Sequence, residues 1–273
     1  MKAKLLLLII VCTSILACAQ KDPVTPFPGG SGQYTRLVWS DEFNEAGLPD
    51  SAKWSYEEGY KRNAELQYYT VGRAENIRIK DGLLTITALN DSAVIGGEIR
   101  PITSASIHTR GKGDWQHGRI EVRAKLPSCL GTWPAIWMMP TKPTYGGWPK
   151  SGEIDIMEHV GYDPDKIYFN LHTGKYNHSI GTGRGSSVFC PDAAKEFHVY
   201  AVEWFEDRID WYLDDKKVFS IANDEPGWEA WPLDHSFYLI INFAFGGAWG
   251  GSQGVDIQGL PQHYMIDYVR VFQ

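Results

Sequence analysis

The chain has 273 residues, 43% hydrophobic and 22% charged, with a net charge of −7. That is room for one large β domain or two small domains with a sizeable core. No basic cluster is present, which argues against nucleic acid as a partner.

Lys2 and Lys4 precede an apolar run, Leu5 to Leu16, that is too short to span a bilayer comfortably. Ile15-Leu16-Ala17-Cys18 resembles the lipobox of bacterial lipoproteins. Residues 1–17 therefore read as a lipoprotein-type signal peptide, cleaved before Cys18, with lipid on the Cys18 sulfur. Leu16 is less usual at its place in the box, so plain secretion with a cut nearby is the alternative. The expectation is an exported protein in the periplasm, at the outer membrane or on the cell surface, touching the membrane only through its lipid. Residues 18–34 are rich in Pro, Gly and polar residues and read as a flexible tether. Residues 35–273 show no second linker or repeat and read as one domain.

Strand patterns dominate that domain. Asn76 to Ala88 reads as a hairpin turning at Asp81-Gly82. In the stretch from Gly118, Ile120, Val122, Ala124 and Leu126 alternate with Glu121, Arg123 and Lys125, predicting an inward apolar face and an outward charged one. Phe197 to Trp204, Ile209 to Leu213 and Lys217 to Ile221 continue the pattern, with turns at Phe205–Arg208 and Asp214–Asp215. Phe237 to Phe245 is nearly continuous in apolar residues, as in a strand buried on both faces. Tyr264 to Phe272 closes the chain. Many strands with Gly-rich turns and no interleaved long helix predict an all-β sandwich. Cys129 and Cys190 read as two buried free thiols or, in an exported protein, as a disulfide; spacing does not decide between them.

The chemistry concentrates at Gly152 to Gly161. Glu153 and Asp155 share one face of a strand, with Ile154 and Ile156 on the other. Glu158 has the wrong parity, and a β-bulge near Met157 would return it to the carboxylate face. Three crowded acids gain nothing for stability. Two carboxyl groups flanking a bond are what glycoside hydrolysis requires, one as nucleophile or base and one as acid. Asp155 between them would raise a neighbour's pKa or orient the nucleophile. The aromatic excess, 11 Trp and 14 Tyr, suits stacking on sugar rings as well as core filling. A metal site at Glu158–His159 is disfavoured, because adjacent strand residues point to opposite faces.

Glu153-Ile-Asp-Ile-Met-Glu158 resembles the active-site signature of glycoside hydrolase family 16. Val38 to Asn44, Asn63 to Thr70, Gly131 to Pro140 and Gly147 to Glu153 are similar to its laminarinase branch. The resemblance implies a β-jelly-roll of two curved antiparallel sheets with a concave cleft. It implies a retaining endo-β-1,3-glucanase that acts on a polysaccharide as a monomer, with no cofactor for catalysis. Glu153 would be the nucleophile, Glu158 the acid/base and Asp155 their helper. Trp133 and Trp137 would line the cleft, Asn63 would bind a sugar hydroxyl, and His172 would lie beside the acid/base. Trp148 and Trp249 are candidate stacking platforms. The resemblance also implies a structural calcium ion on the convex side, at Glu42, Gly82 and Asp267. Two departures stand out: Cys129 occupies a Gly position before the cleft loop, and Ser106 stands where many members carry a basic residue. Arg110 is the weaker substitute for that base. The alternatives carried are a hydrolase of mixed-linkage glucan or of agar, porphyran or carrageenan, and a β-glucan-binding protein or transglycosylase.

Overall fold

The computed structural model describes residues 24–273. The signal peptide and the lipid site expected at Cys18 lie outside the described residues. The described strands are β1 (Leu37–Asp41), β2 (Ser55–Tyr56), β3 (Tyr68–Tyr69), β4 (Ile77–Lys80), β5 (Leu83–Ile95), β6 (Glu98–Ser104), β7 (Ser106–His108), β8 (Asp114–Trp115) and β9 (Gly118–Lys125). They continue with β10 (Thr132–Pro140), β11 (Glu153–Glu158), β12 (Lys166–His172), β13 (Arg184–Phe189), β14 (His198–Trp204), β15 (Arg208–Leu213), β16 (Lys216–Ala222), β17 (Phe237–Phe245) and β18 (Gln262–Phe272).

Two sheets pack face to face. One runs β16-β15-β14-β9-β18-β5-β6-β3, with β1 beside β18 and β4 beside β5. The other runs β13-β12-β11-β10-β17-β7-β2, with β8 beside β17. Apart from the short β3–β6 pair, the ladders are antiparallel. No helix among the described residues is long and apolar enough to cross a membrane.

The sequence pattern explains the layers. Asp81 and Gly82 both have positive φ (55° and 77°), as the tight turn between β4 and β5 demands. Ile120, Val122, Ala124 and Leu126 all face the core, at most 2% exposed. Ile136, Ile154, Ile156, Met157 and Ile241 meet them from the other sheet. Each such fully buried aliphatic side chain contributes roughly 1.5–3 kcal/mol. That packing fixes the sheet whose opposite face carries the acids.

Two expectations are corrected on the convex face. Glu121 is fully buried rather than outward-facing. It pairs with buried Arg119 at 2.9 Å, and Arg119 reaches Glu203 at 3.5 Å. The cover comes from the segment read as a flexible tether. The backbone N–H of Phe27 donates to Glu121 (3.1 Å) and that of Ser31 to Glu203 (2.9 Å). Tyr34 Oη donates to the Trp204 carbonyl at 2.9 Å. Gly29 lies so close that an added Cβ would sit 1.9 Å from the Asp215 carbonyl oxygen. Residues 27–34 are thus a fastened strap, because buried charges there need its donors.

The implied calcium residues lie on β18 and on the segments beside it. Its register shifts between Ile266 and Tyr268, at Asp267. The end of β1 stands opposite Val269, and the β4–β5 turn carrying Gly82 leads into Leu84, opposite Ile266. The carboxylates are already paired: Glu42 clasps Arg270 at 2.9 Å through both oxygens, and Asp267 meets Arg123 at 2.7 Å. A hard cation there would therefore draw on backbone carbonyls, with Asp267 shared with Arg123. Cys129 and Cys190 are both free thiols.

Candidate active site

The face of the second sheet that turns away from the core forms a cleft of about 680 Å³. Ladder register builds it row by row. One row sets Asn170, Asp155, Trp137, Ile240 and His108 side by side. The next sets Tyr168, Glu158, Ala135, Asn242 and Ser106 side by side. Asp155 and Glu158 are three residues apart, yet they oppose Trp137 and Ala135, which are two apart. The extra residue is a bulge at Ile156–Met157, where both side chains are fully buried. The bulge returns Glu158 to the face of Glu153 and Asp155, as its parity required.

Each glutamate receives an indole N–H. Trp148 Nε1 donates to Glu153 Oε2 at 2.6 Å, and Trp133 Nε1 donates to Glu158 Oε1 at 3.1 Å. Asn170 also hydrogen-bonds Glu158. Burial, then the charge of Asp155, pushes Glu153 up to about 8. Burial, then the charge of Glu153, pushes Glu158 up to about 7. Asp155, 2% exposed, is raised well above the usual carboxylate range by burial and by the Glu158 charge. Glu153 and Asp155 are direct neighbours and each bears on the other's titration. The Trp148 indole N–H favours the ionised form of Glu153 against that burial.

All six residues read as substrate-binding, Asn63, Trp133, Trp137, Trp148, His172 and Trp249, line the cleft with the three acids. His172 lies among the three acids, within electrostatic reach of both Glu153 and Glu158. Its register partner is Glu153, and its Nε2 lies 3.3 Å from Asp155 Oδ2. Glu158 has Tyr168 opposite it instead. Trp249 stands edge-on to Trp133 and to Tyr168, with ring centroids 5.5 Å and 5.0 Å apart. The loop carrying it needs glycine at 247, where φ is 77° and a Cβ would meet the Asn63 carbonyl oxygen at 2.9 Å. His159 is fully buried, and its Nε2 lies 3.0 Å from the Pro164 carbonyl oxygen, away from the acids.

Sequence reasoning missed Arg62, Glu65, Asn170, His178 and Asn242, which also line the cleft. Glu65 is 7% exposed and accepts from Asn63 (3.3 Å), Gln67 (2.8 Å) and Tyr69 (3.3 Å), so it holds the Asn63 side chain. Trp137 Nε1 donates to Asn242 Oδ1 at 2.7 Å. Arg62 ion-pairs with Glu57 and stacks over Trp137, 4.9 Å from the ring centroid. Ser106 Oγ donates to the same Glu57 at 2.6 Å. The guanidinium absent at position 106 is thus supplied beside it by a loop residue. Arg110 is not among the cleft-lining residues and donates to the Thr141 carbonyl at 2.9 Å. The signal available in the sequence was the pairing of Arg62 with Asn63, next to a motif already singled out.

Comparison with known proteins agrees with this geometry. The family described as "Glycosyl hydrolases family 16" matches residues 64–270. A "Beta-glucanase" of Rhodothermus marinus is 50% identical over 246 residues, covering 87% of this chain and 85% of that one. "Glucan endo-1,3-beta-glucosidase A1" of Niallia circulans is 37% identical, covering 87% of this chain and 38% of that longer protein. The X-ray structure of the laminarinase from Rhodothermus marinus superposes with a TM-score of 0.83 at 50% identity, covering 87% of this chain and 97% of that one. The chain belongs to glycosyl hydrolase family 16.

Proposed function

We propose that this glycoside hydrolase cleaves internal β-1,3 linkages of laminarin-like glucans and retains the anomeric configuration. Glu153 attacks the anomeric carbon while Glu158 protonates the leaving oxygen. Glu158 then takes a proton from water, which releases the sugar from Glu153. Asp155 orients Glu153. The two carboxyls do this chemistry without a cofactor. The observation that carries the reading is one bulged strand placing both glutamates on the cleft face, each under an indole N–H. A pure glucan binder needs neither raised carboxyl.

The test is Glu153→Gln and Glu158→Gln on laminarin. Both variants are expected to lose essentially all reducing-sugar release. Near-normal activity in either would sink the assignment.

A second reading has one specific support. A solved "non-specific endo-beta-1,3(4)-glucanase" is 42% identical with a TM-score of 0.84 and covers 93% of this chain. Mixed-linkage glucan is therefore a second substrate to compare with laminarin, and product analysis on laminarin, curdlan, lichenan and agarose separates the two. We further propose that the enzyme is an exported monomer held to a membrane by lipid on Cys18, with a calcium ion pinning Glu42, Gly82 and Asp267. Loss of labelled fatty-acid incorporation in Cys18→Ser checks the anchor.

A further inference from the structure

We propose that Cys190, Asp192 and His198 form a zinc site that ties the two sheets together at the edge of the sandwich. The segment between β13 and β14 passes from the cleft sheet to the convex sheet. Cys190 opens it, 4% exposed, with its backbone N–H donating to the Asp165 carbonyl at 2.7 Å. Asp192 starts the turn that follows, its carbonyl accepting from Lys195 and Glu196 at 2.7 Å and 2.8 Å. His198 is the first residue of β14.

Two of the three donor separations match the edges of a tetrahedral site. Asp192 Oδ1 is 3.7 Å from Cys190 Sγ and 3.3 Å from His198 Nε2. All three ligand atoms lie within 4.8 Å of one another. A tetrahedron with zinc–sulfur near 2.3 Å and zinc–nitrogen or –oxygen near 2.0–2.1 Å has edges of about 3.3–3.6 Å. Thiolate, imidazole and carboxylate are the donor set zinc favours, and three protein ligands leave a fourth position for water.

The imidazole is also oriented as a ligand. His198 Nδ1 lies 2.8 Å from Asp214 Oδ2. The other Asp214 oxygen accepts the Val199 N–H at 2.9 Å, and the Asp214 N–H donates to the Val199 carbonyl at 2.8 Å. This fixed carboxylate sets the tautomer and turns Nε2 toward the other two donors. Nε2 is buried and faces only Asp192 and Cys190. The half-exposed Asp192 side chain gives an ion its way in. None of these residues lines the catalytic cleft.

Cobalt(II) is the probe, since it replaces zinc and absorbs light. The full chain is expected to bind one cobalt ion with a near-ultraviolet thiolate charge-transfer band, and zinc should displace it. Cys190→Ser should abolish the band, and Cys129→Ser should keep it. Asp214→Asn preserves the turn and should weaken affinity roughly 10–100-fold. Zinc should raise the melting temperature of the wild type but not of Cys190→Ser, with laminarin hydrolysis unchanged in both. No band in the wild type would overturn the site. So would a band that survives Cys190→Ser, or one lost in Cys129→Ser. Circular dichroism matching the wild type shows that each variant has folded.

Discussion

Trp148 donates its indole N–H to Glu153 across 2.6 Å, although Trp148 is 43% exposed and comes from a loop outside the sheet. The bond favours the ionised form of Glu153. Trp148→Phe keeps the ring and removes the donor. Glu153 then rises, so the acidic limb of the kcat/KM profile moves to higher pH. A hydrogen bond to a charged group at a partly exposed site supports a loss of about tenfold in kcat/KM. A pH–rate profile on laminarin checks both, and an unmoved acidic limb would remove Trp148 from the mechanism.

Glu158 is pushed up to about 7 by burial and by the charge of Glu153. It must be protonated to act as an acid, so activity is expected to fall as pH rises through about 7. In Glu153→Gln the neighbouring charge is gone, and the Glu158 pKa is expected to drop. Carbon-13 NMR titration of the carboxyl carbons measures the shift directly. A Glu158 pKa that stays put would show that burial alone sets it.

The same carboxyls weaken the fold above their ordinary range. In the unfolded chain a glutamate loses its proton near 4.5, whereas folded Glu158 keeps it until about 7. Between those values the native state holds more protons, so stability falls as pH rises. Glu158→Gln is therefore expected to be more stable than wild type at pH 8, by on the order of 1–3 kcal/mol, and about equal at pH 4. Urea unfolding at the two pH values decides it.

Arg62 caps Trp137 while paired to Glu57. Arg62→Ala is expected to raise KM on laminarin roughly tenfold, with kcat within about threefold, since one stacked cation near a ring supports 1–2 kcal/mol. Arg62→Lys should recover only part, because an ammonium cannot stack as a plane. Equal loss in kcat would instead place Arg62 in transition-state stabilisation.

The proposed calcium ion, if bound, gives a separate signature. Chelation with EGTA should lower the melting temperature, and added calcium should restore it, while kcat at moderate temperature stays constant. A melting temperature indifferent to both would remove the ion from Glu42, Gly82 and Asp267.

The catalytic strand was legible because its chemistry is local. Parity alone flagged Glu158, and the buried pair Ile156–Met157 is the bulge that flag required. The strands of the core were legible because alternation reports burial on one face. Glu121 broke that rule because, besides the local Arg119, its cover comes from Phe27, 94 residues away. Arg62 escaped for the same reason, since its ring partner and its acid lie on different elements, and only folding brings Ser106 to Glu57.

If the proposed lipid is attached at Cys18, the strap at residues 27–34 would also set which way the enzyme faces. It fastens to Glu121 and Glu203 on the sheet whose far side lies behind the cleft. Any anchor upstream pulls on that convex surface. With a lipid at Cys18, the eight residues 19–26 form the whole leash, with a reach of about 30 Å when extended. The domain would then rest with its back to the membrane and its catalytic groove open outward, where long insoluble glucan strands arrive without having to pass between enzyme and bilayer.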